Sequence, residues 1–152
     1  MGKYISRLAV PADIPRLLKL PIIIYDENKE ALILGEFTTD NFESFVEKIV
    51  YSNSVLVLEE DNDIFASCGM MIQPCFMTHD KIATDAWILC RKDKRGYAIF
   101  REMLRFAKNF SIINHARLIL RITSASDTER KIKLYEKSGF SMIGATLLYT
   151  GS

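Results

Sequence analysis

Apolar positions recur along the chain in two rhythms, one of period two and one near 3.6, and the points where the rhythm changes predict the element boundaries. Lys3 to Val10 reads as a strand. Pro11, Ala12 and Asp13 then open a helix in which Ile14, Leu17 and Leu18 share a face. Pro21 is expected to interrupt that helix, because proline lacks an amide donor and its ring crowds the preceding turn. Residues 22–37 keep neither rhythm and are read as a short helix and a mobile loop, with 26–39 as a candidate lid. Asp40 and Glu43 stand at capping-box spacing, and Phe42, Phe45, Val46 and Ile49 follow on one face, predicting a second helix that ends before Asn53.

Val55 to Glu59 and Ile64 to Ile72 are strand-like and flank the acidic turn Glu60-Asp61-Asn62-Asp63, the pattern of a hairpin. A third apolar run, Ile82 to Cys90, gives way abruptly to Arg91-Lys92-Asp93-Lys94-Arg95-Gly96. The next stretch sets Ile99, Met103, Phe106 and Phe110 on one stripe with Phe100, Leu104 and Ala107 beside it, a helix. Arg117 to Thr123 alternates Leu118, Leu120 and Ile122 inward as a strand. Ser126 and Glu129 form a second capping-box pair for a helix through Tyr135, which Gly139 is placed to end in left-handed geometry. Met142 to Thr150 is the expected last strand. The order β, α, α, β, β, β, α, β, α, β is an α+β pattern, antiparallel first and βαβ-connected later.

Composition narrows the class. The 152 residues are 49% apolar, and a chain this long buries about 68–70% of its unfolded surface, so one domain over 1–152 is expected to fold without a disulfide or metal staple. With 20 Lys+Arg against 19 Asp+Glu the formal net charge is +1, which leaves no global field for nucleic acid or anionic lipid. No apolar run approaches the roughly 20 residues of a membrane-spanning helix. No secretory pattern opens the chain, so the expected location is cytoplasmic. Met1 to Ser6 loosely fits an acylation pattern but reads better as an initiator leading into the first strand. Cys68, Cys75 and Cys90 are odd in number and have no histidine at ligand spacing, so they are expected to be reduced, buried small hydrophobes rather than a disulfide framework or a metal site.

The junction from Cys90 to Phe100 is the most informative. A strand ends in a loop with four cations and one anion, then a glycine, then a helix. Unsatisfied amides at a helix start carry the positive end of its dipole, so such a junction suits a phosphate or diphosphate, with Lys92, Lys94 and Arg95 adding charge. A solvated basic turn is the alternative reading.

Here the sequence resembles the GNAT superfamily of acyl-CoA N-acyltransferases, over nearly its whole length. Asp85-Ala86-Trp87-Ile88-Leu89-Cys90 looks like the family's central fourth strand, and Arg95-Gly96-Tyr97-Ala98 looks like its pyrophosphate loop. Lys133-Leu134-Tyr135-Glu136-Lys137-Ser138-Gly139-Phe140 matches its late Leu-Tyr-Glu-Lys-x-Gly-Phe signature. The loop departs from the usual pattern: read from Asp93, an acid replaces the cation or amide, and read from Arg95, the favoured alignment, Ala98 and Phe100 stand where glycines are usual. Asp93 is expected to face solvent, since a carboxylate facing a diphosphate is repelled.

The resemblance implies a mixed, mostly antiparallel sheet with helices on both faces. It further implies direct transfer of an acetyl group from acetyl-CoA to a primary amine, in a small molecule or peptide, within a ternary complex. Leu89, Cys90, Arg91, Lys94, Arg95, Gly96, Tyr97, Ala98, Ser126 and Tyr135 are the expected acetyl-CoA contacts. A backbone amide near Leu89 or Cys90 is the expected oxyanion donor. Asp85 is the candidate base for the ammonium, with Glu59 and Glu60 further off and a solvated strand end as the alternative. Tyr135 is the candidate acid for the departing thiolate, with a core aromatic as the alternative. Relatives often end in two strands, whereas about ten residues follow Phe140 here, so a homodimer partner is expected to complete the sheet edge.

His79 and His115 read as isolated loop residues. Met70, Met71 and Trp87 read as sheet packing or as an acceptor lining, and Arg101 with Arg105 as an i, i+4 surface pair without a nucleic-acid footprint. Two other classes compete with the enzyme: a binding module that holds coenzyme A or a protein without turnover, and an acyltransferase acting on a nucleobase or tRNA.

Overall fold

The computed structural model describes residues 3–27, 39–122 and 127–144. Five strands form one sheet in the order β1 (Ile5–Leu8), β2 (Val55–Glu60), β3 (Asp63–Pro74), β4 (Lys81–Cys90) and β5 (Ala116–Ile119). The first three pairings are antiparallel and β4–β5 is parallel. This is the mixed α+β sheet expected, with helices α1 (Ile14–Glu27), α2 (Thr39–Tyr51), α3 (Tyr97–Ile113) and α4 (Thr128–Lys137) between and after the strands.

The period of two along β2 explains why both faces are covered. Val55 and Val57 join a core with Ile14, Leu17 and Leu20 of α1 and Val46, Ile49 and Val50 of α2. Leu56 and Leu58 join a second core with Ile99, Met103 and Ala107 of α3. A strand apolar on both faces must sit inside the sheet with a helix layer on each side. The β2–β3 turn is tight because Asp61 (φ 50°) and Asn62 (φ 64°) both take left-handed backbone, which Asp and Asn tolerate and which matches the twist of a two-residue hairpin.

Three expectations change. Pro21 does not end α1: the helix runs on to Glu27, because Pro21 is itself buried beside Leu17 and Leu20, and that packing offsets the lost backbone bond. The N-cap of α4 is Asp127, in left-handed conformation and without a side-chain cap bond; the expected cap, Ser126, lies outside the described residues. Met142 to Gly144 carry no strand, and the remainder of the expected last strand lies outside the described residues, as do residues 28–38 of the candidate lid.

Asp13, with 1% of its surface exposed, anchors the start of α1. It accepts from the Val10 amide (2.8 Å), from Arg7 (2.6 Å) and from Arg16, and both arginines continue to Glu59 on β2 at 2.9 and 3.1 Å. The Arg7 hydrogen bond, followed by those from Val10 and Arg16, holds the Asp13 carboxyl far below the usual carboxylate range.

Candidate active site

The site grows from a parting in the sheet. β4 is ten residues long, yet it pairs with β5 only from Lys81–Ala116 to Thr84–Ile119. From Asp85 to Cys90 no described strand pairs with that side of β4, so the two strands part there. At the parting point β4 also bulges: Gly69 pairs with Trp87 and Met70 with Asp85, which leaves Ala86 as the extra residue. The bulge turns both Ala86 and Trp87 toward the α1/α2 core, while Asp85 shares the α3 face of its cross-strand partner Met70.

Asp85 stands as a post where the strands separate. It is 8% exposed, its Oδ1 accepts the Arg121 amide at 2.9 Å, and its carbonyl accepts the Arg121 guanidinium at 3.2 Å. Burial pushes the carboxyl above its ordinary range, against the pull of the Arg121 amide. Arg121 had no signal in the sequence, because its role is one backbone N–H delivered by the fold.

Tyr135 projects from the inner face of α4 beside this post. Its ring meets Phe100 of α3 edge-on at 5.1 Å and Phe140 edge-on at 5.6 Å. Among the described residues nothing is hydrogen-bonded to its hydroxyl, and no buried side-chain nitrogen or oxygen lacks a partner. The phenol oxygen is therefore not sealed in the core. Burial first, and the nearby Asp85 charge second, raise its pKa, so it is a neutral phenol at physiological pH. Phe140 is held there by the end of α4: Gly139 (φ 88°) donates to Glu136 and Phe140 donates to Tyr135, the paired bonds of a Schellman ending. Only glycine takes that backbone without strain.

The loop that follows β4 divides its charges. Gly96 is the N-cap of α3 with no side-chain cap bond, and a Cβ built on it would meet nothing within 4 Å, so the space beside its α-carbon is open where the first-turn amides lack helical partners. Arg95 Nε donates to the Cys90 carbonyl at 3.0 Å, holding its guanidinium at the end of β4. Arg91 and Lys94 turn to the opposite side. Arg91 binds Asp63, and Asp93 at 3.1 Å; Lys94 binds Glu60 and lies 5.9 Å from the centre of the Phe65 ring. The structure thus commits the Arg91 and Lys94 charges to carboxylates on the β2–β3 hairpin and Asp93, a pairing the sequence could not show because the partners are about 30 positions away. Asp93 does face solvent, bonded to Arg91.

The remaining expected residues scatter. Leu89 packs toward the α1/α2 core and Cys90 toward the α3 core, with their main chain beyond the pairing with β5. Tyr97 and Ala98 are exposed on the first turn of α3, with Arg101 over the Tyr97 ring at 5.8 Å. Glu59 is tied to Arg7 and Arg16, and the Arg7 bond lowers its pKa, the wrong direction for a base. Trp87 and Met70 are core residues, with Trp87 Nε1 donating to Ser67 at 3.0 Å. Of the cysteines only Cys68 is buried; Cys75 and Cys90 are half-buried, Cys75 because it lies in the β3–β4 turn.

No protein-family model and no curated protein matches the chain. Solved structures do. The chain is similar to a predicted acetyltransferase with acetyl-CoA from Clostridium acetobutylicum (TM-score 0.75, 16% identity, 97% of this chain and 96% of that one). It is similar to the glucosamine-6-phosphate N-acetyltransferase from Arabidopsis thaliana (TM-score 0.72, 18% identity, 99% and 100%). It also resembles AAC(6')-Iy in complex with the bisubstrate analogue CoA-S-monomethyl-acetylneamine (TM-score 0.74, 10% identity, 99% of both chains). The superpositions run along almost the whole chain: this chain has the fold of the GNAT acetyltransferases.

Proposed function

We propose that the chain is an acetyl-CoA-dependent N-acetyltransferase acting on a primary amine of a small molecule or peptide, by direct transfer in a ternary complex. The observation that carries this reading is the parting of β4 from β5 at Asp85, with the Tyr135 ring set edge-on against Phe100 of α3. The site fits an acyl-CoA: β4 main-chain groups beyond the pairing with β5 suit an amide-bearing arm, and the start of α3, without a side-chain cap and with open space beside Gly96, suits a diphosphate. Acetyl-CoA supplies an activated thioester carbonyl and a thiol leaving group.

The chain's own residues then divide the work. The α3 amides and Arg95 hold the diphosphate end, and the stretch of β4 near Leu89 and Cys90 offers an amide to the oxygen that gains charge. Asp85, made more basic by burial, takes the proton that the ammonium must lose before it attacks, directly or through water. Tyr135 donates its hydroxyl hydrogen toward the leaving sulfur. Because its pKa is raised, it acts by hydrogen bonding that becomes proton transfer only as the sulfur gains charge, and the proton released by the amine restores it. Calorimetric titration with acetyl-CoA followed by thiol release on a panel of amines and peptides tests the reading. Tyr135→Phe is expected to lower kcat about 100-fold with acetyl-CoA affinity unchanged, and equal turnover by both proteins removes Tyr135 from the mechanism.

A second reading is favoured by the committed charges of Arg91 and Lys94 and by the Phe100 ring against Tyr135: a module that retains coenzyme A without transfer. Binding of acetyl-CoA without thiol release on any acceptor would establish it.

A further inference from the structure

We infer that Lys131 is a positioning cation for the diphosphate of acyl-CoA, forming with Arg95 a two-sided bracket across the gap between the first turns of α3 and α4; this rests on the acetyl-CoA reading above. The helices follow the parallel strands β4 and β5 and run the same way. Two contacts fix their levels: Phe100 against Tyr135 at 5.1 Å, and, further along, Lys108 Nζ reaching the Ser138 carbonyl at 2.5 Å. One turn back along each helix, about 5.4 Å toward the loop end, Gly96 and Lys131 stand at one level. Gly96 is the N-cap of α3, without a side-chain cap and with open space beside its α-carbon, and Arg95 next to it donates to the Cys90 carbonyl.

Burial agrees with this placement. Of the three lysines of α4, Lys133 and Lys137 are exposed, whereas Lys131 is half-buried on the inner face that also carries Ile132 and Tyr135. Four residues separate Lys131 from Tyr135, so both point to the same side of the helix. Burial lowers the Lys131 pKa; Asp127 opposes that shift and the Arg95 charge adds to it, in keeping with this placement. A fold that holds two cations together beside an uncapped helix start has the complement of a doubly charged anion. Arg91 and Lys94 are paired toward the hairpin, and Lys131 places a further cation on the α4 side of the gap.

The test is calorimetric binding of acetyl-CoA and of its 3′-dephospho form to the full chain and to Lys131→Ala, Lys131→Arg and Lys133→Ala, each checked for fold by circular dichroism. Lys131→Ala is expected to weaken both ligands about tenfold, with a shallower dependence of affinity on salt, while Lys131→Arg retains most of the affinity and Lys133→Ala all of it. A Lys131→Ala variant that binds both ligands as tightly as the parent overturns the inference and leaves the acetyl-CoA reading intact. A loss confined to the ligand bearing the 3′-phosphate overturns it too, by moving the contact to that group. If the parent chain binds neither ligand, the acetyl-CoA reading fails and the inference with it.

Discussion

Asp85 shows how one residue serves geometry and chemistry through different atoms. Its Oδ1 and its carbonyl tie β4 to Arg121 where the strands part, and the same burial that makes this tie raises its pKa. Asp85→Asn keeps an oxygen for the Arg121 amide but cannot take a proton. The variant is therefore expected to melt within a few degrees of the parent while kcat falls at least about 100-fold, as loss of a general base requires. In the parent, activity should decline on acidification through a pKa above the usual carboxylate range; unchanged kcat in the asparagine variant would leave Asp85 as a post alone. Gly69 is a steric counterpart. A Cβ there would lie 2.6 Å from the Trp87 ring, which cannot yield because Phe42 and Phe45 pack edge-on against its other sides. Gly69→Ala should cost about 2 kcal/mol and lower Tm by about 4–8 °C, with a changed emission from Trp87, the protein's one tryptophan.

Elements whose identity rests on local rhythm were legible in the sequence, and those resting on partners were not. Helix α3 follows from its apolar stripe, and the end of α4 from Gly139 and Phe140, because those signals lie within a few residues of the structure they cause. Pro21 misled because the local cost of a proline is offset by burial that no window of sequence contains. The Arg91 and Lys94 pairings were hidden for the same reason, while Tyr135 and Gly96 were picked out by motif before their surroundings were known. The Asp13 cluster, also unread, latches α1 to β1 and β2 through Arg7, Arg16 and Glu59. Both acids have lowered pKa values, so the unfolded chain binds more protons at acidic pH, and the stabilisation present at neutral pH is lost progressively below about pH 5. Asp13→Asn should lose on the order of 3 kcal/mol at pH 7 and show a flatter decline toward acid. Urea titrations at pH 7 and pH 4 measure both, and parallel pH curves for the two proteins would contradict the latch.

At the scale of the molecule, two cores separated by one sheet divide stability from access. β2 and β3 contribute side chains to both cores, whereas β1 is a four-residue strand at one end of the described sheet, with Ile5 and Leu8 exposed. Amide exchange should be slowest at Val57 to Leu58 and Ala66 to Cys68, and at least tenfold faster along β1. Uniform exchange across the sheet would mean that β1 opens only together with the rest of the domain, and would contradict this expectation.

The stretch of β4 from Ala86 to Cys90, beyond its pairing with β5, offers peptide groups, and every amino acid but proline carries the same N–H and C=O. Mutation can thus exchange the side chains along that stretch, provided each still suits its own core, without rewriting those groups themselves. Such a surface tolerates long drift in spelling while its meaning stays fixed, and selection is left free to work on whatever stands opposite.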